Sequence, residues 1–239
     1  MKFGVILFPG SNCDDDMVHV LGTVMGRETV KLWHKDQDAL KDFTTDDCVI
    51  VPGGFSYGDY VRAGAVARFS PIMDSVIDFA KRGGYVFGIC NGFQILCEAH
   101  LLPGALLRNR DQKFIAKNCY LRTETTNSAV TSALQVGQVL NIPIAHAEGR
   151  FYADKEVIAD LNANDQVLFR YADGMGEATA ADNLNGSVEN IAGICNAGRN
   201  VFGMMPHPER ASESTIGNTD GRAIFAGMIE AIEGAAVSA

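Results

Sequence analysis

Short apolar runs alternate along this chain with stretches of helical spacing. Residues 3–8 form an apolar run that stops at Pro9-Gly10. Residues 14–25 then place Met17, Val18, Leu21, Val24 and Met25 at helical intervals. Strands are predicted over 29–33 and 48–51, the second stopped by Pro52-Gly53-Gly54. A helix over 71–81 carries Ile72, Val76, Ile77 and Ala80 on one face, and residues 85–89 return to strand. Strands that are apolar throughout belong to a mostly parallel sheet covered on both faces, and the β–α–β rhythm is that of an α/β domain. The second half is richer in strands, at 118–122, 142–146, 167–171, 191–195 and 201–204. Their spacing predicts an antiparallel extension beside the core sheet. A last helix is predicted over 221–232, with fraying from Gly234. No repeat, linker or boundary breaks the pattern, so residues 1–239 are expected to form one domain.

Composition narrows the classes. The net charge is −9, with Lys and Arg scattered, so neither a nucleic-acid surface nor a membrane-binding face is expected. The opening apolar run is too short for a signal peptide, and no stretch approaches membrane-spanning length. The six cysteines show no CxxC pair and no metal-ligand spacing with histidine. Cys13, Cys48, Cys97, Cys119 and Cys195 read as ordinary buried thiols of a reducing, cytoplasmic compartment. The chain also lacks a GxxxxGK[ST] loop and a GxGxxG turn after a strand, so no ATP or dinucleotide site of its own is expected.

The sixth cysteine stands in a different context. Gly88-Ile89-Cys90-Asn91-Gly92 follows an apolar strand and opens a helix-like stretch. Small residues two before and two after a nucleophile permit a sharp strand-to-helix turn that holds it in a strained conformation at a sheet tip. The helix dipole then points at the sulfur. Taken alone, the motif also fits a buried cysteine ending a core strand. A second segment changes the balance. The strand over 201–204 runs into Pro206-His207-Pro208-Glu209. Pro208 disfavours helix at His207, so the segment is expected to be extended, with His207 and Glu209 on one side. Cysteine, histidine and a carboxylate two positions on make a nucleophile, base and orienter. Gly53-Gly54 and the amide of Asn91 could face an oxyanion; a plain turn is the simpler reading of the glycine pair.

These residues resemble a known family. GICNGFQIL together with PHPE is similar to the class I (triad-type) glutamine amidotransferases. FPGSNCD, VPGGFSYGDYVRAGAVA, IAHAEGRF and VFGMMPHPER resemble, within that family, the glutaminase subunits that serve purine biosynthesis. The likeness runs over about residues 1–232. It implies a flavodoxin-like fold with a mostly parallel sheet flanked by helices. It implies Cys90 as nucleophile, His207 as general base and acid, and Glu209 as the residue orienting it. Gly53, Gly54 and Asn91 would frame the oxyanion hole, and Gln94 would help hold the substrate amide. The implied partners are a large synthetase subunit, which would use ATP and magnesium to aminate formylglycinamide ribonucleotide, and a small accessory subunit. One departure is Ala147, in His146-Ala147-Glu148-Gly149, where the family usually has glycine; no catalytic role is assigned to His146. Two alternatives stand beside this reading. One is an amidotransferase subunit of another synthase. The other is a flavodoxin-like stress or peptidase-type protein with an elbow cysteine.

Overall fold

The computed structural model describes residues 1–238, with side chains to residue 235. The strands are β1 (Lys2–Leu7), β2 (Glu28–Trp33), β3 (Cys48–Val51), β4 (Tyr85–Ile89), β5 (Ala105–Leu107), β6 (Ile115–Thr123), β7 (Val139–His146), β8 (Arg150–Tyr152), β9 (Val167–Ala172), β10 (Ile191–Cys195) and β11 (Val201–Met204). The helices are α1 (Asp14–His19), α2 (Pro71–Lys81), α3 (Asn91–Glu98), α4 (Lys155–Ala163) and α5 (Arg222–Ser238). Nine strands form one mixed sheet in the order β2-β1-β3-β4-β11-β10-β9-β6-β7, and β5 pairs with β8 separately. From β2 to β11 the neighbours are parallel; from β11 to β7 they are antiparallel. Both the parallel core and its antiparallel extension match the expectation.

Burial explains the change of pattern. β3 and β11 are buried at every residue, and β4 at all but its first, because helices cover both faces of the sheet. β7, at the far edge, alternates buried and half-buried residues. An edge strand also tolerates Pro143, which has no N–H for a ladder.

The parallel half brings the chemistry to one place. The carboxyl ends of β1, β3, β4 and β11 share an edge, and the chain reverses its winding between β1 and β3, where ligands bind in open α/β sheets. β4 and β11 lie in register, Gly88 beside Gly203 and Ile89 beside Met204, so Cys90 and the Pro206–Glu209 segment leave the sheet side by side.

Three local expectations are corrected. The helix expected over 14–25 is α-helical only as far as His19. It then widens to a π turn over Val20–Val24, which contains Gly22, and ends at Gly26 with φ 65°. The extended segment expected at 206–209 instead turns into a 3-10 helix, Pro208–Ala211. Proline suits the first turn of a helix, and His207 before it stays non-helical at φ −105°, ψ 86°. The last helix runs on past Gly234 to Ser238, beyond the expected fraying point. α4 and the three-residue strands β5 and β8 carry too little periodic signal to have been read.

The elbow after β4 rests on absent side chains. A Cβ at Gly92 would overlap the carbonyl oxygen of Val51, at the end of β3. One at Gly88 would lie 2.6 Å from Leu96 Cδ1. Gly92→Ala therefore forces backbone against backbone. We expect a loss of about 3 kcal/mol, read as a lowered urea midpoint; an unchanged midpoint would refute this packing.

Candidate active site

Cys90 is buried and sits at φ 52°, ψ −108°, a conformation that side chains rarely adopt. Two backbone bonds hold it there: its N–H donates to Met204 O at 2.8 Å, and Gln94 N–H donates to its carbonyl at 3.2 Å. Its Sγ lies 3.8 Å from the Ala145 carbonyl oxygen, and α3 begins at the next residue.

His207 and Glu209 are 1% and 2% exposed. Nδ1 of His207 lies 2.6 Å from Glu209 Oε1, so the predicted pair forms, although through a 3-10 turn rather than a strand. The His207 N–H donates to the Pro143 carbonyl of edge strand β7 at 2.8 Å, which fixes the backbone. Burial opposes charge on this imidazole. The Glu209 carboxylate and the neighbouring Cys90 and Cys13 sulfurs outweigh it, and the net effect holds His207 well above the ordinary histidine range. With Nδ1–H directed at the carboxylate, the working nitrogen is Nε2. Among the described residues nothing makes a properly aligned hydrogen bond to it, although both sulfurs lie close by.

Gly53 explains how these groups meet. A Cβ there would lie 2.9 Å from His207 Cε1, 3.0 Å from Cys13 Sγ and 3.4 Å from Cys90 Cβ. Glycine at this position makes room for three side chains from three loops. Gly54 is glycine for its backbone, at φ 142°, with Asn12 N and Ser11 Cα each 2.8 Å from where its Cβ would be. The Gly53 carbonyl accepts from the Asn12 and Cys13 N–H groups, at 3.5 and 3.3 Å. In a trans peptide this turns the Gly54 N–H the opposite way.

Asn91 and Gln94 tie the elbow to its surroundings. Asn91 Oδ1 accepts from Ser56 N–H, and its Nδ2 donates to Asp59 Oδ1 and Gln94 Oε1. Gln94 Nε2 donates to the Glu148 carbonyl. Each end of the Gln94 amide keeps one further hydrogen-bonding position. The loop pinned by Asn91 holds Tyr57, Asp59 and Val61 at positive φ, and Tyr57 Oη anchors it to His34 and Ser70. One small cavity is lined by Gly54, Asp59, Cys90, Gln94 and Glu148. A second is lined by Cys13, Gly54, Cys90, His207 and Arg210. All seven residues singled out from the sequence therefore lie at or beside Cys90.

Four residues of this site, Cys13, Arg210, Asp59 and Glu148, escaped the sequence reading. Cys13 is no ordinary core thiol: it lines the same cavity as Cys90 and accepts from Arg210 Nη2 at 3.2 Å. Burial pushes its thiol up, against the pull of His207. Asp59 and Glu148 are carboxylates of the neighbouring cavity. Burial, then the charge of Glu148, push Asp59 up to about 6 against the Asn91 hydrogen bond. The available signal was position alone, since Cys13 follows the loop after β1 and Asp59 the loop after β3.

A family model described as the CobB/CobQ-like glutamine amidotransferase domain matches residues 1–224. The phosphoribosylformylglycinamidine synthase subunit PurQ of Koribacter versatilis is 54% identical over 232 residues, covering 97% of this chain and 99% of that one. The same subunit of Acaryochloris marina is 54% identical over 239 residues, with both chains fully covered. A chain in the structure of PurLQS from Thermotoga maritima superposes with a TM-score of 0.84 at 41% identity, covering 97% of this chain and 98% of that one. No helix among the described residues is long and apolar enough to cross a membrane.

His146 also borders the first of the two cavities at Cys90; it is buried, with its ring packed over Gly149 and Nδ1 3.1 Å from Asn109 Oδ1. Burial, then the charge of His207, push it down to about 4 from an ordinary 6.5. At neutral pH both folded and unfolded chains carry it uncharged. As pH falls through 6.5 the unfolded chain takes up a proton that the folded chain refuses until about 4, so stability falls across that window. We expect His146 to account for up to about 3 kcal/mol of this acid loss. Urea midpoints from pH 7 to 4 should fall more steeply for wild type than for His146→Gln; parallel curves would contradict it.

Proposed function

The chain belongs to the CobB/CobQ-like glutamine amidotransferase family, and on that premise we propose that it is the glutaminase subunit of a phosphoribosylformylglycinamidine synthase. It hydrolyses glutamine to glutamate and ammonia and supplies the ammonia for converting formylglycinamide ribonucleotide to its amidine in purine biosynthesis. Near-full-length identity to PurQ subunits supports the assignment. The observation that carries the chemistry is the meeting of Cys90, His207 and Glu209 at one sheet edge.

The proposed steps follow from that geometry. Cys90 gives its proton to His207 Nε2, and Sγ attacks the side-chain amide carbon of glutamine. Negative charge gathers on the amide oxygen, where the Gly54 and Asn91 N–H groups are suited to receive it. His207 Nε2–H protonates the departing nitrogen, ammonia leaves, and a glutamyl thioester remains on Cys90. Water then gives a proton to Nε2 and attacks the thioester carbon. The tetrahedral adduct collapses to glutamate, and Cys90 is restored. Glu209 keeps Nδ1 protonated throughout and steadies the imidazolium, in the manner of a triad carboxylate.

The ammonia requires an acceptor subunit. We expect a large synthetase subunit, the seat of ATP and magnesium, and a small accessory subunit; the Thermotoga maritima relative comes from an assembly named PurLQS. Apolar side chains beside the site suit a docked partner. Phe55 and Phe114 line the cavity, and Tyr60 and Val61, on the same loop as Phe55, are 75% and 88% exposed. A cytoplasmic location follows from this role and from six free cysteines.

Two variants test the assignment. Cys90→Ala should lower glutamine hydrolysis at least about 1,000-fold with the fold intact. Glu209→Gln should lower kcat by about 10³–10⁴-fold while leaving KM little changed. Ammonia release measured with the synthetase, formylglycinamide ribonucleotide and ATP present gives the readout. Undiminished turnover by Cys90→Ala would end the proposal.

A further inference from the structure

Two thiols, not one, flank the free nitrogen of His207. Cys13, His207 and Glu209 each bring a potential ligand atom within 4.8 Å of the others. Cys90 stands outside that group but borders the same space: a Cβ at Gly53 would lie 3.4 Å from Cys90 Cβ, 3.0 Å from Cys13 Sγ and 2.9 Å from His207 Cε1, so the missing side chain leaves room between all three. Within this group Glu209 is engaged already, at 2.6 Å from Nδ1. That hydrogen bond leaves a lone pair on Nε2 when the ring is neutral, buried and without an aligned partner among the described residues. A metal-bound histidine is characteristically held this way, with the nitrogen away from the metal bonded to a carboxylate.

We propose that Cys13 Sγ, Cys90 Sγ and His207 Nε2 form a site for Zn²⁺ or a similar thiophilic divalent cation, with Glu209 orienting the imidazole from behind. Two thiolates and one imidazole are a familiar donor set for zinc, which takes three protein ligands and leaves a fourth position open. Bond lengths of about 2.3 Å to sulfur and about 2.0 Å to nitrogen require Cys90 Sγ to turn from the Ala145 carbonyl oxygen, 3.8 Å away, into the space beside Gly53 while Cys13 and His207 draw closer. Binding balances in charge. Each thiol and the His207 Nε2–H release a proton to solvent, and the two thiolates neutralise the ion. Arg210 favours sulfur as thiolate by donating Nη2–H to Cys13, while its Nε–H is held by Asp16 at 3.0 Å.

The site has a consequence for the proposed reaction. The ion would occupy the sulfur and the nitrogen that glutamine hydrolysis uses, so metal and substrate exclude each other. Cys13, which no step of that reaction requires, would make the active site sensitive to zinc.

The test uses the full chain, reduced and metal-free, titrated with Co²⁺ and then Zn²⁺ in the absence of glutamine. Its outcome is therefore independent of the glutaminase assignment. One equivalent of Co²⁺ should give a thiolate-to-metal charge-transfer band that Zn²⁺ displaces. Cys13→Ala and Cys90→Ser should each weaken binding by more than the roughly 10–100-fold typical of losing an outer partner, and Glu209→Gln by about that amount. Cys119→Ala, which changes a buried thiol of β6 outside the cluster, should bind as wild type does. Zn²⁺ should also protect Cys90 from alkylation in wild type but not in Cys13→Ala. Far-ultraviolet circular dichroism identifies any variant that fails to fold, and Cys13→Ser then takes the place of Cys13→Ala. A wild-type chain with no stoichiometric Co²⁺ band overturns the proposal. So does a band that persists undiminished in a folded Cys13 variant.

Discussion

The parallel pairing of β4 with β11 is the constraint on which the site depends. It is a short ladder of buried backbone hydrogen bonds, and it sets Ile89 beside Met204. The Cys90 N–H donates to the Met204 carbonyl, so the elbow is itself a continuation of that ladder. Residues more than a hundred positions apart in the polymer thereby leave the sheet at one level. A parallel pair cannot be closed by a hairpin and needs a long crossover; here the intervening chain forms the antiparallel half of the sheet before returning. That half then adds to the site: β7 lends the Pro143 carbonyl to His207 and the Ala145 carbonyl to Cys90.

Around this ladder, small residues do what side chains elsewhere would prevent. Gly88 and Gly92 let α3 start directly against β3 and β4, and Gly53 leaves room for three reactive groups at one point. The strain of Cys90 at positive φ is borne by its neighbours and not relieved. Polar satisfaction supplies the rest. Asn91 spends its side chain on the 55–60 loop and on Gln94, which joins the elbow to the segment after β7. The buried His207–Glu209 pair would be costly if either charge stood alone, and their mutual hydrogen bond offsets that cost.

Much of this was legible in the chain itself, for physical reasons. β3, β4 and β11, and β1 after Lys2, are buried on both faces along most of their length, so their text is almost wholly apolar and hard to misread. The elbow and the His-Pro-Glu segment are local, and their glycines and prolines announce the backbone they need. What could not be read depends on long-range packing. Cys13 looks like any core thiol until Gly53 sets it beside His207. Asp59 and Glu148 become a pair only when two loops meet over one cavity. The turn at Pro208 shows a subtler limit: proline forbids helix before itself while favouring it after, so two residues expected on an extended strand meet across a tight turn instead.

Covalent attachment of substrate to one particular sulfur is the most direct issue, because Cys13 and Cys90 share a cavity. Acid quenching of the chain during turnover of isotopically labelled glutamine, followed by peptide mass spectrometry, reads it. A glutamyl thioester should appear on the peptide carrying Cys90 and nowhere else. Label on the Cys13 peptide, or ammonia production with no labelled peptide under conditions that preserve a thioester, would contradict the mechanism.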